Sequence, residues 1–250
     1  MSSLHSDRNT RLIEIFLTGL LALSLGLAIY YAVTDRIYFA RYYATEDGAV
    51  EYGTALFLFF GSLVLAGYAV NAMRLGSGFV KVASLWLYAL LFFFAAGEEI
   101  SWGQRIFNIE SSEFFKENNY QSETTLHNLV IGGVHLAELV FGQLLSVILL
   151  TYLLILPFVY PRWGFAQRVV DRFAIPVPRP RHALAALIAT IVISSIDAGR
   201  KWEVYELAFA LISLSIFLNP QNPGFELPAK ATAHMRGQDG SDSGSGVSED

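Results

Sequence analysis

The sequence predicts an all-α fold, a polytopic membrane helix bundle of about six transmembrane helices. Three observations carry this. Hydrophobic residues make up 54% and charged residues only 16%, with a mean hydropathy of +0.44. A soluble domain carries roughly 25% charged residues, so the deficit points to lipid as solvent. The apolar residues also fall in long runs, several of them near the roughly 20 residues that a bilayer-crossing helix needs.

Taken in order, 1–10 is polar and reads as mobile, with Arg8 and Arg11 preceding the first apolar run. Helix 11–33 has no small-residue cleavage site before polar sequence, so it reads as a retained signal anchor. Tyr38, Tyr42 and Tyr43 follow it, as aromatic anchors do at a membrane interface. Helix 48–73 carries Glu51 near its start and a Gly53, Gly61, Gly67 series that permits close helix approach. Helix 82–106 runs into a polar stretch, and helix 126–160 leaves it. A basic, proline-rich loop covers 161–181. One helix over 182–218 would be roughly 55 Å long, against a span of roughly 30 Å, so two helices, 182–197 and 201–218, form a tight hairpin. The bundle is thus 1–218, and 219–250, rich in Pro, Gly, Ser and Asp, reads as a disordered cytoplasmic tail.

Arg and Lys concentrate at the N-terminus, around 74–81 and in the 161–181 loop. With six spans these share one side, so the positive-inside rule puts both termini in the cytoplasm. Acidic residues are skewed to the other side, where they meet in clusters. Helix 48–73 brings Asp47 and Glu51, helix 82–106 brings Glu98, Glu99 and Arg105, helix 126–160 brings His127, Asn128, His135 and Glu138, and helix 201–218 brings Glu203 and Glu206. Charges near a membrane interior are costly, so such residues are usually paired and face the bundle.

Adjacent carboxylates raise one another's pKa, which suits general acid/base work. Glu98, Glu99, His127, Arg105 and Glu206 are therefore the candidate catalytic residues, with Arg105 as an anion clamp and Glu51 in support. Glu99, His127, His135 and Glu138 offer the N/O ligand set that suits a divalent metal such as zinc, iron or manganese. No other cofactor is indicated. Trp102 and Trp202 read as interface anchors. Glu110, Glu113, Glu117 and Glu123 read as the solvated face of a covering loop over 107–125. The chain has no cysteine, which excludes disulfides, thiolate metal sites and cysteine nucleophiles. It lacks the elbow of serine hydrolases, the phosphate-binding loop and the zinc-protease motif. A net charge of −5 gives nucleic-acid binding no electrostatic support.

The motif GEEISWGQR…LHN, at 97–105 and 121–128, resembles that of a family of uncharacterised bacterial multi-pass membrane proteins, with weaker echoes at 46–52 and 201–207. The resemblance implies a membrane fold in the bacterial cytoplasmic (inner) membrane, and no established activity. Membrane-embedded ceramidase-like hydrolases differ, because their late paired histidines are replaced here by glutamates of helix 201–218. The leading expectation is a membrane-embedded hydrolase or transferase acting on a lipid or lipid-linked substrate, with membrane lipid as partner. The alternatives are a proton- or cation-coupled transporter and a non-catalytic assembly or sensor protein. The orientation is checked by a reporter fused after Asn118. It is expected to be active only outside the cytoplasm, and cytoplasmic activity would overturn the facing of the polar clusters.

Overall fold

The computed structural model describes residues 2–119, 121–126, 129–131, 134–135 and 143–225. The described residues are mostly helical. Eleven α-helices are present among the described residues: α1 (Ser2–Thr34), α2 (Arg36–Tyr38), α3 (Ala49–Arg74), α4 (Phe79–Glu99), α5 (Gln104–Phe107), α6 (Glu113–Asn118), α7 (Gln143–Leu154), α8 (Leu156–Val159), α9 (Gly164–Phe173), α10 (Pro180–Ser195) and α11 (Lys201–Leu218). A π-helical turn at Phe39–Tyr43 and a 3-10 turn at Ser101–Gly103 join some of them. The strands β1 (Val130–Ile131) and β2 (Val134–His135) pair antiparallel.

Among the described residues, three helices are long and apolar enough to cross a membrane: the Thr10–Thr34 part of α1, α3 and α4. Their outward faces carry large apolar side chains, among them Leu12, Phe16, Leu56, Leu63, Leu90 and Leu91, all exposed. A contiguous apolar surface of this kind belongs against lipid rather than water.

The last helix is the centre of the bundle. α11 packs against α1, α3 and α10, and α3 in turn packs along α4. From Ala210 to Phe217 every α11 residue is buried. Small residues let the neighbours come close. Ala183, Ala186 and Ala189 are buried on α10. On α3, a β-carbon at Gly61 would sit 3.2 Å from Phe92 and 3.4 Å from Phe217. Hydrogen bonds pin the packed helices: Ser62 Oγ donates to the Ala89 carbonyl at 2.8 Å, and Tyr68 Oη to that of Phe217 at 2.7 Å.

The structure departs from the sequence-based expectation in five places. α1 begins at Ser2, so the polar N-terminal segment continues the first helix. The third long helix stops at Glu99 rather than 106, because Ser101, Trp102 and Gly103 all take positive φ. The helix expected over 126–160 does not start at 126: residues 130–131 and 134–135 are extended, and the described helix begins at Gln143. Two adjacent glycines in this part of the sequence, Gly132 and Gly133, are costly inside a helix. The 161–181 loop contains α9, whose Ala166 and Val170 are buried against the bundle and which packs on α4. Finally, 219–225 is packed rather than disordered. Asn222 is buried, accepts from the Val177 amide at 2.8 Å and donates to the Ile175 carbonyl at 3.0 Å. The rest of the expected tail lies outside the described residues.

The break between α10 and α11 falls where the hairpin was expected. Ile196 is extended and Arg200 takes a φ of 63° before α11 starts at Lys201. Crowding at Gly61 makes the bundle sensitive there. Gly61→Leu is expected to cost about 1–3 kcal/mol through overpacking, read as a lowered thermal-unfolding midpoint in detergent, with Gly61→Ala milder.

Candidate functional site

One end of the bundle collects the polar residues. The Asp47 region, the start of α3, the end of α4, the 101–126 segment and the start of α11 meet there. The geometry begins with local backbone chemistry. α4 ends at Glu99, and the chain then reverses through Ser101 (φ 48°), Trp102 (φ 55°) and Gly103 (φ 74°). Non-glycine residues enter the left-handed region only when their surroundings hold them there. Here the surroundings are specific. Trp102 folds back so that its indole Nε1 donates to Glu98 Oε1 at 2.8 Å. Its ring lies against Gly97, where a β-carbon would meet it at 2.7 Å. Gly97, Glu98, Trp102 and Gly103 are thus four parts of one folded-back turn. Trp102 is more than an interface anchor, although part of its ring stays exposed.

Glu98 is buried and its second oxygen accepts from the Leu126 amide at 2.6 Å. It ties the far end of the covering segment to the end of α4. α-helical periodicity ends at Glu99, so the reversal, and not the face of one helix, sets Arg105 relative to Glu98.

Arg105 instead gathers three segments. Its Nη1 is 2.5 Å from Asp47 Oδ2, its Nη2 donates to Glu123 Oε2 at 3.1 Å, and Glu51 Oε1 lies 4.0 Å from Nη2. Its Nε lies 2.9 Å from Glu123 Oε1 without the alignment of a hydrogen bond. Burial opposes the positive charge, but the hydrogen bond to Asp47 and the charges of Glu123, Asp47 and Glu51 outweigh it and hold the Arg105 pKa above its ordinary value. Glu51 also accepts from the Asp47 backbone amide, and the buried Ser101 hydroxyl donates to Glu123. Glu123 is therefore a half-buried member of the site and not part of a solvated loop face.

The covering segment is cross-braced by neutral groups. Gln104 Nε2 donates to Ser111 Oγ at 2.5 Å, and Gln104 Oε1 accepts from the Thr124 amide at 2.8 Å. Asn119 Nδ2 donates to the Thr125 carbonyl at 2.8 Å, while its Oδ1 accepts from the Gln121 amide at 2.8 Å. Gln121 Nε2 donates to Glu46 Oε1 at 2.9 Å, and Arg200 Nη1 lies 2.9 Å from that same oxygen. Lys201 donates to the Ile196 carbonyl at 2.8 Å. The two cations at the start of α11 thus close the hairpin and its contact with 46–48.

A second group lies beside this network. Glu206 has Glu99, Glu203 and Glu51 as its electrostatic neighbours. The four carboxylates come from α3, α4 and α11, and Glu206 itself keeps an exposed side chain. The structure therefore brings Glu99, Glu206 and Glu51 together, with Arg105 next to them through Glu51. His127 and Glu138 lie outside the described residues. His135 falls in β2, which carries no α-helical periodicity, so the facing expected for it from a helix does not apply. No group of three His, Asp or Glu side chains able to hold a metal occurs among the described residues.

Glu123, Glu46 and Asn119 are the members that sequence reasoning missed. For Asn119 and Glu123 the signal was the run of hydrogen-bonding residues in 119–125, which reads equally well as a solvated loop; Glu46 stands one residue before Asp47 and depends on partners from elsewhere in the chain, Gln121 and Arg200. Comparison with protein-family models, curated proteins and solved structures returns no match.

Removing Arg105 would leave Glu123 and Asp47 without their cation. Arg105→Ala is expected to cost about 3 kcal/mol, the low end for a buried pair because the side chain is 26% exposed. Limited proteolysis within 107–125 should rise in step. Arg105→Lys should restore less than half of the loss, since one ammonium cannot reach Asp47 and Glu123 from separate nitrogens.

Proposed function

We propose that this chain is a multi-pass inner-membrane protein of six spans, with α7–α8, α10 and α11 completing the set begun by α1, α3 and α4. In this reading both termini are cytoplasmic and the polar end faces outward. The motif GEEISWGQR…LHN supports membership of the bacterial family it resembles. Its function is that of a membrane-embedded hydrolase or transferase acting on a lipid or lipid-linked substrate.

One observation carries the enzymatic reading: Glu206 is densely surrounded by protein, with the carboxylates of Glu99, Glu203 and Glu51 as electrostatic neighbours, yet part of its side chain reaches the molecular surface. Crowded carboxylates relieve repulsion by sharing a proton, and the pair then offers an acid and a base at one place. Glu206 and Glu99 are the acid/base pair in this proposal, and Glu51 links them to the Arg105 network. Arg105 is a positioning residue, because Asp47 and Glu123 already occupy its guanidinium. A lipid-linked substrate fits a polar site set at the end of lipid-facing helices.

The Arg105 and Arg200 ion pairs favour a second reading, in which the polar end is only a scaffold for assembly or sensing. The two readings differ in their products. Vesicles of bacterial total lipid extract carrying the purified full chain are compared by lipid mass spectrometry. Wild type and Glu110→Gln, which alters an exposed loop carboxylate, are expected to convert at least one lipid species. Glu206→Gln is expected to lower that conversion at least about 100-fold, the scale of losing one general acid or base. Unchanged lipid with wild-type protein, or equal conversion by Glu206→Gln, would overturn the enzymatic reading.

A further inference from the structure

A cavity of about 400 Å³ lies near the opposite end of the bundle, between α1, α10 and α11. It is separate from the carboxylate group and plays no part in the reading above. Its wall is apolar, formed mainly by Leu17, Leu21, Leu211 and Ile212, and its mouth carries Arg11 and Arg181. Volumes of this size hold small ligands. The chemistry is graded along the cavity. From Arg11 to Leu21 along α1 is about 15 Å, half of a roughly 30 Å hydrocarbon layer. The cavity thus has the depth of one leaflet, with cations at its polar margin.

The charges at the mouth do not cancel. Glu14 pairs with Arg181 and accepts from Asn219 Nδ2 at 2.6 Å, so its charge is already matched. Arg11 has no ion-pair or hydrogen-bond partner among the described residues and keeps an exposed side chain. Arg179, close by, donates to the carbonyls of Asn219 and Pro220 and ties the segment after α11 to the start of α10. Deeper in, His182 accepts from the Arg179 amide through Nδ1 and reaches Ser215 Oγ through Nε2 at 3.2 Å, so its polar atoms are satisfied. The remaining demand is for negative charge at the mouth, where Arg11 has no partner among the described residues and Arg179 meets only neutral carbonyls, and for hydrocarbon inside.

We infer that this cavity binds an anionic phospholipid, its headgroup on Arg11 and an acyl chain between α1 and α11. Basic pockets between membrane helices take anionic headgroups for the same electrostatic reason. The occupant is a lipid rather than a free anion, because most of the cavity surface beyond the mouth has nothing to offer a hydrated ion.

Native mass spectrometry of the full chain in mild detergent tests this, using phosphatidylglycerol and phosphatidylcholine with identical acyl chains and, separately, glycerol phosphate. The wild-type protein should bind phosphatidylglycerol about five-fold more tightly than phosphatidylcholine and should show no glycerol phosphate adduct. Arg11→Glu, at an exposed position, should abolish the preference and leave phosphatidylcholine unchanged. Ala185→Phe, which fills the cavity, should weaken both lipids. Equal binding of the two lipids by wild type, a preference that survives Arg11→Glu, or a glycerol phosphate adduct as strong as the lipid's would overturn the proposal.

Discussion

A single guanidinium holds the polar end of this protein together. Arg105 reaches Asp47 before α3, Glu51 within α3 and Glu123 at the far end of the covering segment. Asp47 and Glu51 lie about the start of α3, far in sequence from Arg105 and Glu123, and the neutral bonds of Gln121 to Glu46 and of Leu126 to Glu98 run beside this ion-pair network. The anchor is electrostatic, and it must be planar to serve two carboxylates from different nitrogens. The position of Arg105 depends in turn on the reversal at Ser101–Gly103. A regular continuation of α4 would carry the residue past its partners. Local backbone chemistry and a long-range ion-pair network are thus two halves of one arrangement.

That coupling explains what could be read from the chain and what could not. Apolar runs located the starts of α3 and α10 within a few residues, because run length and hydropathy are local properties. The Gly-Arg break before Lys201 was visible for the same reason: a single helix there would be too long. The end of α4 was not visible, since apolar periodicity passes smoothly from Ala96 towards Ile106. Only the contacts of Trp102 with Gly97 and Glu98 show why the helix stops. α9 was hidden by its composition, because a short helix with two buried residues, Ala166 and Val170, looks like a basic loop.

The site was legible in kind more than in detail. Glu51, Glu99 and Glu206 stand together as carboxylates of three different helices. Their shared level followed from counting residues along each apolar run. The roles of Glu98 and Glu123 did not follow, because each depends on a partner set by tertiary structure: the Leu126 amide for one, Arg105 for the other. A carboxylate in a polar loop and a carboxylate clamped by arginine have the same sequence signature.

The central place of α11 has a consequence for how the protein is made. α11 is the final helix among the described residues, yet α1, α3 and α10 all rest on it. It also begins with Lys201, Glu203 and Glu206, which makes it a poor candidate for entering lipid alone. Without α11, the faces of α1, α3 and α10 that it covers would be left open. A chain interrupted before residue 201 would keep α1, α3 and α4 and lose the helix on which α1, α3 and α10 rest.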